Sequence, residues 1–183
     1  MKTKTLLAIG LALSTAACSR TGNGDVNSAS GMQGNQTIEL IGGGFTTGSQ
    51  GLHHANIIEF GAPQASVISQ LSGILGRPVI GRNADCPTGE VDTADFGSLT
   101  LNFENGRFTG WVLDGPRPAL ETYHGLAIGM QRSALVDELA AEVDAESTLG
   151  TEVSVNEVGV LLSGPGANAR VTNLFAGTTC FAR

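Results

Sequence analysis

FGAPQASVISQL at residues 60–71 and IGMQRSALVDEL at residues 128–139 align without a gap, and this faint internal repeat organises the folded part of the chain. Each copy places a strand-like end and a glycine, Gly61 or Gly129, ahead of a run with helical period. The apolar positions are Val67, Ile68, Leu71 and Leu75 in the first copy, and Leu135, Val136, Leu139 and Val143 in the second. That i, i+1, i+4, i+8 spacing draws a single apolar stripe along an α-helix. Pro63 suits a first helical turn, and Ser133 a cap or first-turn position.

A hairpin signal follows each run. Ser98–Phe103 alternates, Glu104-Asn105-Gly106 turns, and Arg107–Leu113 returns with Phe108 and Trp111. In the second half Gly159–Leu162 leads into Ser163-Gly-Pro-Gly-Ala-Asn-Ala169, and Arg170–Phe175 returns toward Cys180. Arg107-Phe-Thr and Arg170-Val-Thr hold equivalent places, and Asp114-Gly-Pro-Arg-Pro118 is a turn-rich connector between the halves. Two tandem helix-then-β-hairpin units, at about 57–115 and 125–180, predict an α+β domain. The expected form is an antiparallel sheet with helices packed on one face.

Gly129-Met130 opening a helix before a strand pair resembles the small lipoproteins of the outer-membrane assembly family (BamE/SmpA). The tandem arrangement is similar to the β-lactamase-inhibitor-protein fold. This likeness covers most of residues 57–180 in pattern and a dozen positions in sequence. Ala134 stands where the assembly family often has an acidic residue, and Ala62-Pro63 replace Met and its neighbour in the first copy. The resemblance implies a fold and a protein-binding role, and it names no partner.

The N-terminus reads as an export signal. Lys2 and Lys4 form a positive region, Leu6–Leu13 is apolar, and Ser14, Thr15, Ala16 and Ala17 are small. From Leu6 to Ala17 the stretch would span about 18 Å as a helix, short of a bilayer core of about 30 Å. Ser14-Thr15-Ala16-Ala17-Cys18 resembles a lipobox, with Thr15 where that family most often has Leu. The resemblance implies a signal peptide at 1–17, diacylglyceryl transfer to the Cys18 thiol, cleavage before it and acylation of the new amine. Ordinary cleavage after Ala17 is the alternative, and would leave Cys18 a free thiol. Multiple acyl chains hold a protein firmly where one binds only marginally. Ser19 lacks the Asp that resembles an inner-membrane retention signal, so the expected placement is the outer membrane, facing the periplasm. Residues 19–36, SRTGNGDVNSASGMQGNQ, carry only Val26 and Met32 as large apolar side chains, too few to offset the entropy of ordering. Residues 18–36 are therefore expected to be a lipidated, disordered tether; its eighteen residues beyond Cys18 give a root-mean-square span of about 23 Å. Residues 37–183 form one domain in size.

Without residues 1–17 the chain has no lysine and eight arginines against seventeen acidic residues, a formal charge of −9. Duplex binding needs a basic stripe, so nucleic acid is excluded as a partner, and anionic headgroups repel the domain. Schiff-base, Ser–Lys and Walker A chemistry are excluded with the missing lysine. Lipid on Cys18 would leave Cys86 and Cys180 as the remaining cysteines of an oxidising compartment. They either bridge or remain two buried thiols, and only the Cα separation decides.

No catalytic constellation stands out, and no cofactor is expected. His53 and His54 would point to opposite faces of a strand, His124 is the only other histidine, and HExxH is absent. No metal site is expected. Asp85, Glu90, Asp92 and Asp95 are expected in one loop around Cys86, without the EF-hand order, as a solvated surface. Gly42-Gly-Gly44 lacks GxGxxG and is expected to be a flexible turn. Phe108 is expected in the core. Trp111, three residues on and so facing the opposite side of a regular strand, is a candidate protein-binding anchor together with Tyr123. The leading expectation is a non-enzymatic envelope lipoprotein that binds another protein or aids assembly through its sheet face. The alternatives are a small periplasmic hydrolase or ligand-binding protein using His53 or His124, and a structural spacer.

Overall fold

A computed structural model describes residues 36–49, 56–122, 125–139, 141–144, 147 and 149–181. The proposed signal peptide, Cys18, the tether as far as residue 35, His53, His54, Tyr123 and His124 lie outside the described residues. The chain begins with β1 (Gln36–Ile41), β2 (Gly44–Ser49) and β3 (Asn56–Glu59), then α1 (Gln64–Leu75). Four strands follow: β4 (Val79–Asn83), β5 (Val91–Asp95), β6 (Leu99–Glu104) and β7 (Arg107–Leu113). After β8 (Leu120–Thr122) come α2 (Arg132–Leu139), β9 (Glu142–Asp144), β10 (Thr151–Val155), β11 (Val158–Leu162) and β12 (Val171–Gly177).

These elements correct the expected α+β pair of helix-then-hairpin units. Among the described residues the fold is mostly β, with twelve strands and two helices. Eight strands form one antiparallel sheet in the order β4-β5-β6-β7-β12-β11-β10-β9, and four form a second in the order β3-β2-β1-β8. The two expected hairpins do form, β6–β7 and β11–β12, but each is extended by two further strands. Asn105 and Gly106 make the first turn at φ 50° and 73°, the left-handed pair that a two-residue hairpin loop favours. The added strands escape a periodicity reading for a physical reason. β4 leaves Val79, Ile80, Gly81 and Arg82 exposed, and β8 and β9 have three residues each, so alternation is weak or too short to detect. Pairing makes them strands: β4 on β5, β9 on β10, and β8 in parallel register on the distant β1.

The helices differ from expectation in one copy. In α1, Val67 and Leu71 are fully buried and Ile68 and Leu75 are packed against the core, as the stripe requires. Pro63 is the N-cap rather than a first-turn residue, with extended backbone at φ −63° and ψ 131°. The second stripe overruns its helix. α2 stops at Leu139, Val143 belongs to β9, and Val136 is 47% exposed. The residues ahead of both helices nevertheless make matching contacts. Gly61 donates its N–H to Phe108 O and accepts from Arg107 Nη1 at 3.1 Å; Gly129 donates to Val171 O and accepts from Arg170 Nη1 at 2.8 Å.

Two layers enclose the core. The small sheet turns Ile38, Leu40, Phe45 and Ile58 inward, and the large sheet meets them with Leu101, Phe103, Phe108, Trp111 and Leu113. Phe108 packs edge-on against Phe45 and Phe60, with ring centroids 5.6 and 5.0 Å away. A bulge fixes the phase of β7. Asn102 pairs with Gly110 and Phe103 with Phe108, which leaves Thr109 as an extra residue. An extra residue shifts the alternation by one, so Phe108 and Trp111 face the same way although three apart. Trp111 is fully buried, and its indole Nε1 donates to Ile41 O at 3.0 Å across the layers. The expectation of opposite faces is corrected, and Trp111 is a core residue.

The outer face of the large sheet carries the C-terminal segment. After Gly177, the Thr178 N–H donates to Thr109 O at 2.8 Å, and Asn102 Nδ2 donates to Thr178 O at 2.8 Å. Gly110 sits beneath, where a Cβ would overlap the Thr178 carbonyl and nitrogen. Cys180 then reaches Cys86, with Cα atoms 4.8 Å apart and the sulfurs at bonding distance. The disulfide reading is the one that holds. Gly110→Ala is expected to cost about 1–3 kcal/mol, because the added methyl meets backbone rather than a yielding side chain. Urea unfolding measures it, and an unchanged midpoint would mean that the segment is not seated on Gly110.

Candidate functional site

A cleft opens at the β8 edge of the small sheet, beside the end of β7. Its volume is about 700 Å³, inside the range of small-molecule sites. Leu113 at the end of β7 and Leu120, Glu121 and Thr122 of β8 line it. Pro116, Arg117 and Pro118 close one side, and Gly125–Ile128 the other.

Local sequence explains this shape. The Asp114 N–H bonds Ser98 O at 3.0 Å, and the Leu120 N–H bonds Arg117 O at 3.2 Å, which folds the connector back toward the small sheet. Two prolines fix their own φ, so this wall has few alternatives. Ala119 turns at φ 71°, which places its carbonyl to accept the Ile38 N–H at 2.8 Å and docks β8 beside β1. Arg117 is held away from free solution chemistry: its Nη2 donates to Leu75 O at 2.7 Å, in the last turn of α1. A cation there also meets the negative end of the helix.

The polar inventory of the cleft is short. Among the described lining residues only Arg117 and Glu121 ionise, and their formal charges cancel. Thr122 is 8% exposed, and its Oγ1 has no hydrogen-bond partner among the described residues. A buried hydroxyl left unpaired costs about 1–3 kcal/mol.

A second surface lies on the outer face of the large sheet. Val112 and Phe175 are register partners on β7 and β12, and Phe181 stacks edge-on to Phe175 with centroids 5.2 Å apart. All three are half-buried, as is Leu161 on the neighbouring β11. Gly159 lies under the Phe175 ring and leaves it room to lie flat on the sheet. The disulfide pins the end of this strip.

The residues singled out in the sequence distribute as follows. Trp111 is sealed in the core and offers no surface. Tyr123, His53, His54, His124 and Cys18 fall outside the described residues, although Tyr123 and His124 lie in sequence between Thr122 and Gly125 of the cleft. The four carboxylates do not share one loop: Asp92 and Asp95 are in β5. Arg82 bonds Asp92 at 2.7 Å and Glu90 at 3.1 Å, and the Asp95 carboxylate accepts the Gly97 N–H. The hydrogen bond to Asp92, then its charge and that of Glu90, raise the Arg82 pKa. No metal-binding group of three ligands occurs among the described residues. Gly42 and Gly43 form the tight β1–β2 turn. Sequence reasoning passed over Thr122 and the outer strip, because neither burial nor a missing partner is visible along a chain.

Comparison with protein-family models, with curated proteins and with solved structures returns no match.

Proposed function

We propose that the chain is an envelope lipoprotein, anchored by lipid on Cys18 and facing the periplasm, whose folded part is a non-enzymatic module for binding another envelope protein. The outer strip of Val112, Leu161, Phe175 and Phe181 carries this reading: aromatic and aliphatic side chains, partly exposed, on a sheet braced by a disulfide. Rigid aromatics of this kind are favoured anchors in protein interfaces. The likeness to the outer-membrane assembly lipoproteins motivates the choice of an envelope partner. Acidic surface charge leaves the attachment to acyl chains rather than to the domain.

Two results test it. Cys18→Ser is expected to move the protein from the membrane fraction to the soluble one after a high-salt wash, with the domain still folded; retention on the membrane would overturn the anchor. A photo-cross-linking residue at Thr100, the register partner of Val112, is expected to capture a defined envelope protein. The same residue at exposed Ser69 on α1 should not. Equal capture at both positions, or none at Thr100, would remove the outer face as the interface.

A further inference from the structure

We infer that β4 is a self-pairing edge: two copies of this chain join β4 to β4 in antiparallel register about Gly81, continuing the large sheet across a two-fold axis. β4 lies three strands from β7, and the inference does not depend on the outer strip meeting a protein.

The edge is open and apolar. β4 ends the eight-stranded sheet and pairs only with β5 among the described residues, so alternate residues turn their N–H and C=O groups away from it. Val79 and Ile80, adjacent in the strand, are 71% and 57% exposed. Sheet edges are commonly blunted by shortness or by charge, and the other three edges here are. β8 and β9 have three residues each and carry Glu121, and Glu142 with Asp144; β3 has four and carries Glu59. β4 has five, and its one charged residue, Arg82, is bent onto Asp92 and Glu90 of its own chain. Charge then selects the occupant. Exposed Arg77 lies just before β4 and exposed Asp85 just after it, and neither forms an ion pair among the described residues. An antiparallel pair centred on Gly81 brings Arg77 beside the partner's Asp85 at both ends. It also sets Val79 opposite Asn83, and Ile80 opposite Arg82, whose carbon stem can cover it. Parallel pairing of β4 would oppose like charges at each end, and self-pairing of β9 would oppose carboxylates. One strand pair is a small contact, of the transient class, so association should depend on concentration.

Cysteine trapping reads the register. The full chain carrying Cys18→Ser keeps only Cys86 and Cys180, which bridge each other. Adding Val79→Cys and Asn83→Cys together should give a covalent dimer under oxidised glutathione. Directly opposite residues have Cα atoms about 4.5–5.5 Å apart, within disulfide range, whereas positions 79 and 83 of one strand are about 13 Å apart and cannot bridge. Val79→Cys alone should stay almost entirely monomeric, because position 79 faces position 83. Charge exchange tests the same pairing without new cysteines. In sedimentation equilibrium, Arg77→Glu or Asp85→Arg alone should weaken self-association about tenfold by setting like charges together, and the two combined should restore it. Both positions are exposed, so the fold is kept. A monomer at every concentration, with no covalent dimer from the double cysteine variant, would overturn the self-pairing and leave the edge to a different polypeptide. A Val79→Cys dimer as abundant as that of the double variant, or a combined charge variant as weak as either single one, would overturn the antiparallel register.

Discussion

Trp111→Ala is expected to remove about 3–5 kcal/mol of stability, the range for deleting a large buried aromatic. Domains of this kind are stable by about 5–15 kcal/mol, so the loss is a large fraction of the total and a partly unfolded population should appear at growth temperature. The reason is placement. Trp111 is fully buried on the inner face of the large sheet, and its indole ties that sheet to the small one through Ile41 O. Trp111→Phe separates the two contributions: it restores most of the apolar bulk and loses the hydrogen bond, for an expected cost of about 1–3 kcal/mol. Denaturant unfolding of both variants is the measurement. A Trp111→Ala protein within about 0.5 kcal/mol of the parent, the level of ordinary surface changes, would return Trp111 to the surface.

Breaking the bridge between Cys86 and Cys180 has the next largest effect. The two cysteines are 94 residues apart in sequence, and the chain-entropy model assigns a loop of this size about 4–5 kcal/mol. Cys86→Ala with Cys180→Ala should lose up to that amount in denaturant unfolding. The change should also be local before it is global. The segment from Thr178 to Phe181 is held by two backbone-directed hydrogen bonds, the disulfide and the Phe175 stack. Its Thr178 amide should therefore exchange with solvent well before the amides of β6 and β7. Full protection of that amide in the double variant would mean that the segment needs no tether. Such a variant also probes the outer strip, because Phe181 loses its fixed position while Val112 and Phe175 keep theirs.

Some of this architecture is legible along the chain and some is not. The Asn105-Gly106 turn and the alternation around it reveal β6–β7, and the spacing of Val67, Ile68, Leu71 and Leu75 reveals α1, because both signals are complete within a dozen residues. The second stripe misled at Val143. Its helical spacing continues past Leu139, yet pairing of Val143 with Val153 makes that residue part of a strand. Gln36–Ile41 and Gly44–Ser49 hide a sheet of their own, since the segment Gly42-Gly-Gly44 reads as punctuation and the strand partners include residues 120–122. The candidate sites were harder still. A buried hydroxyl at Thr122 with no partner among the described residues, and a strip made from Val112, Phe175 and Phe181, exist only after distant segments have met.

By itself the sequence determined the features carried by local period and by counting: one helix, two hairpins, the acidic balance, and a cysteine pair left over once Cys18 is set aside. Whether that pair could bridge was a matter of a Cα separation, 4.8 Å, that only the fold supplies. Tertiary structure likewise decided the direction of Trp111, the path of the C-terminal segment over Gly110 and the cleft at Thr122. The physical reason is shared. Side-chain direction in a strand follows its register with a partner, and one bulge at Thr109 reverses every inference drawn from alternation beyond it.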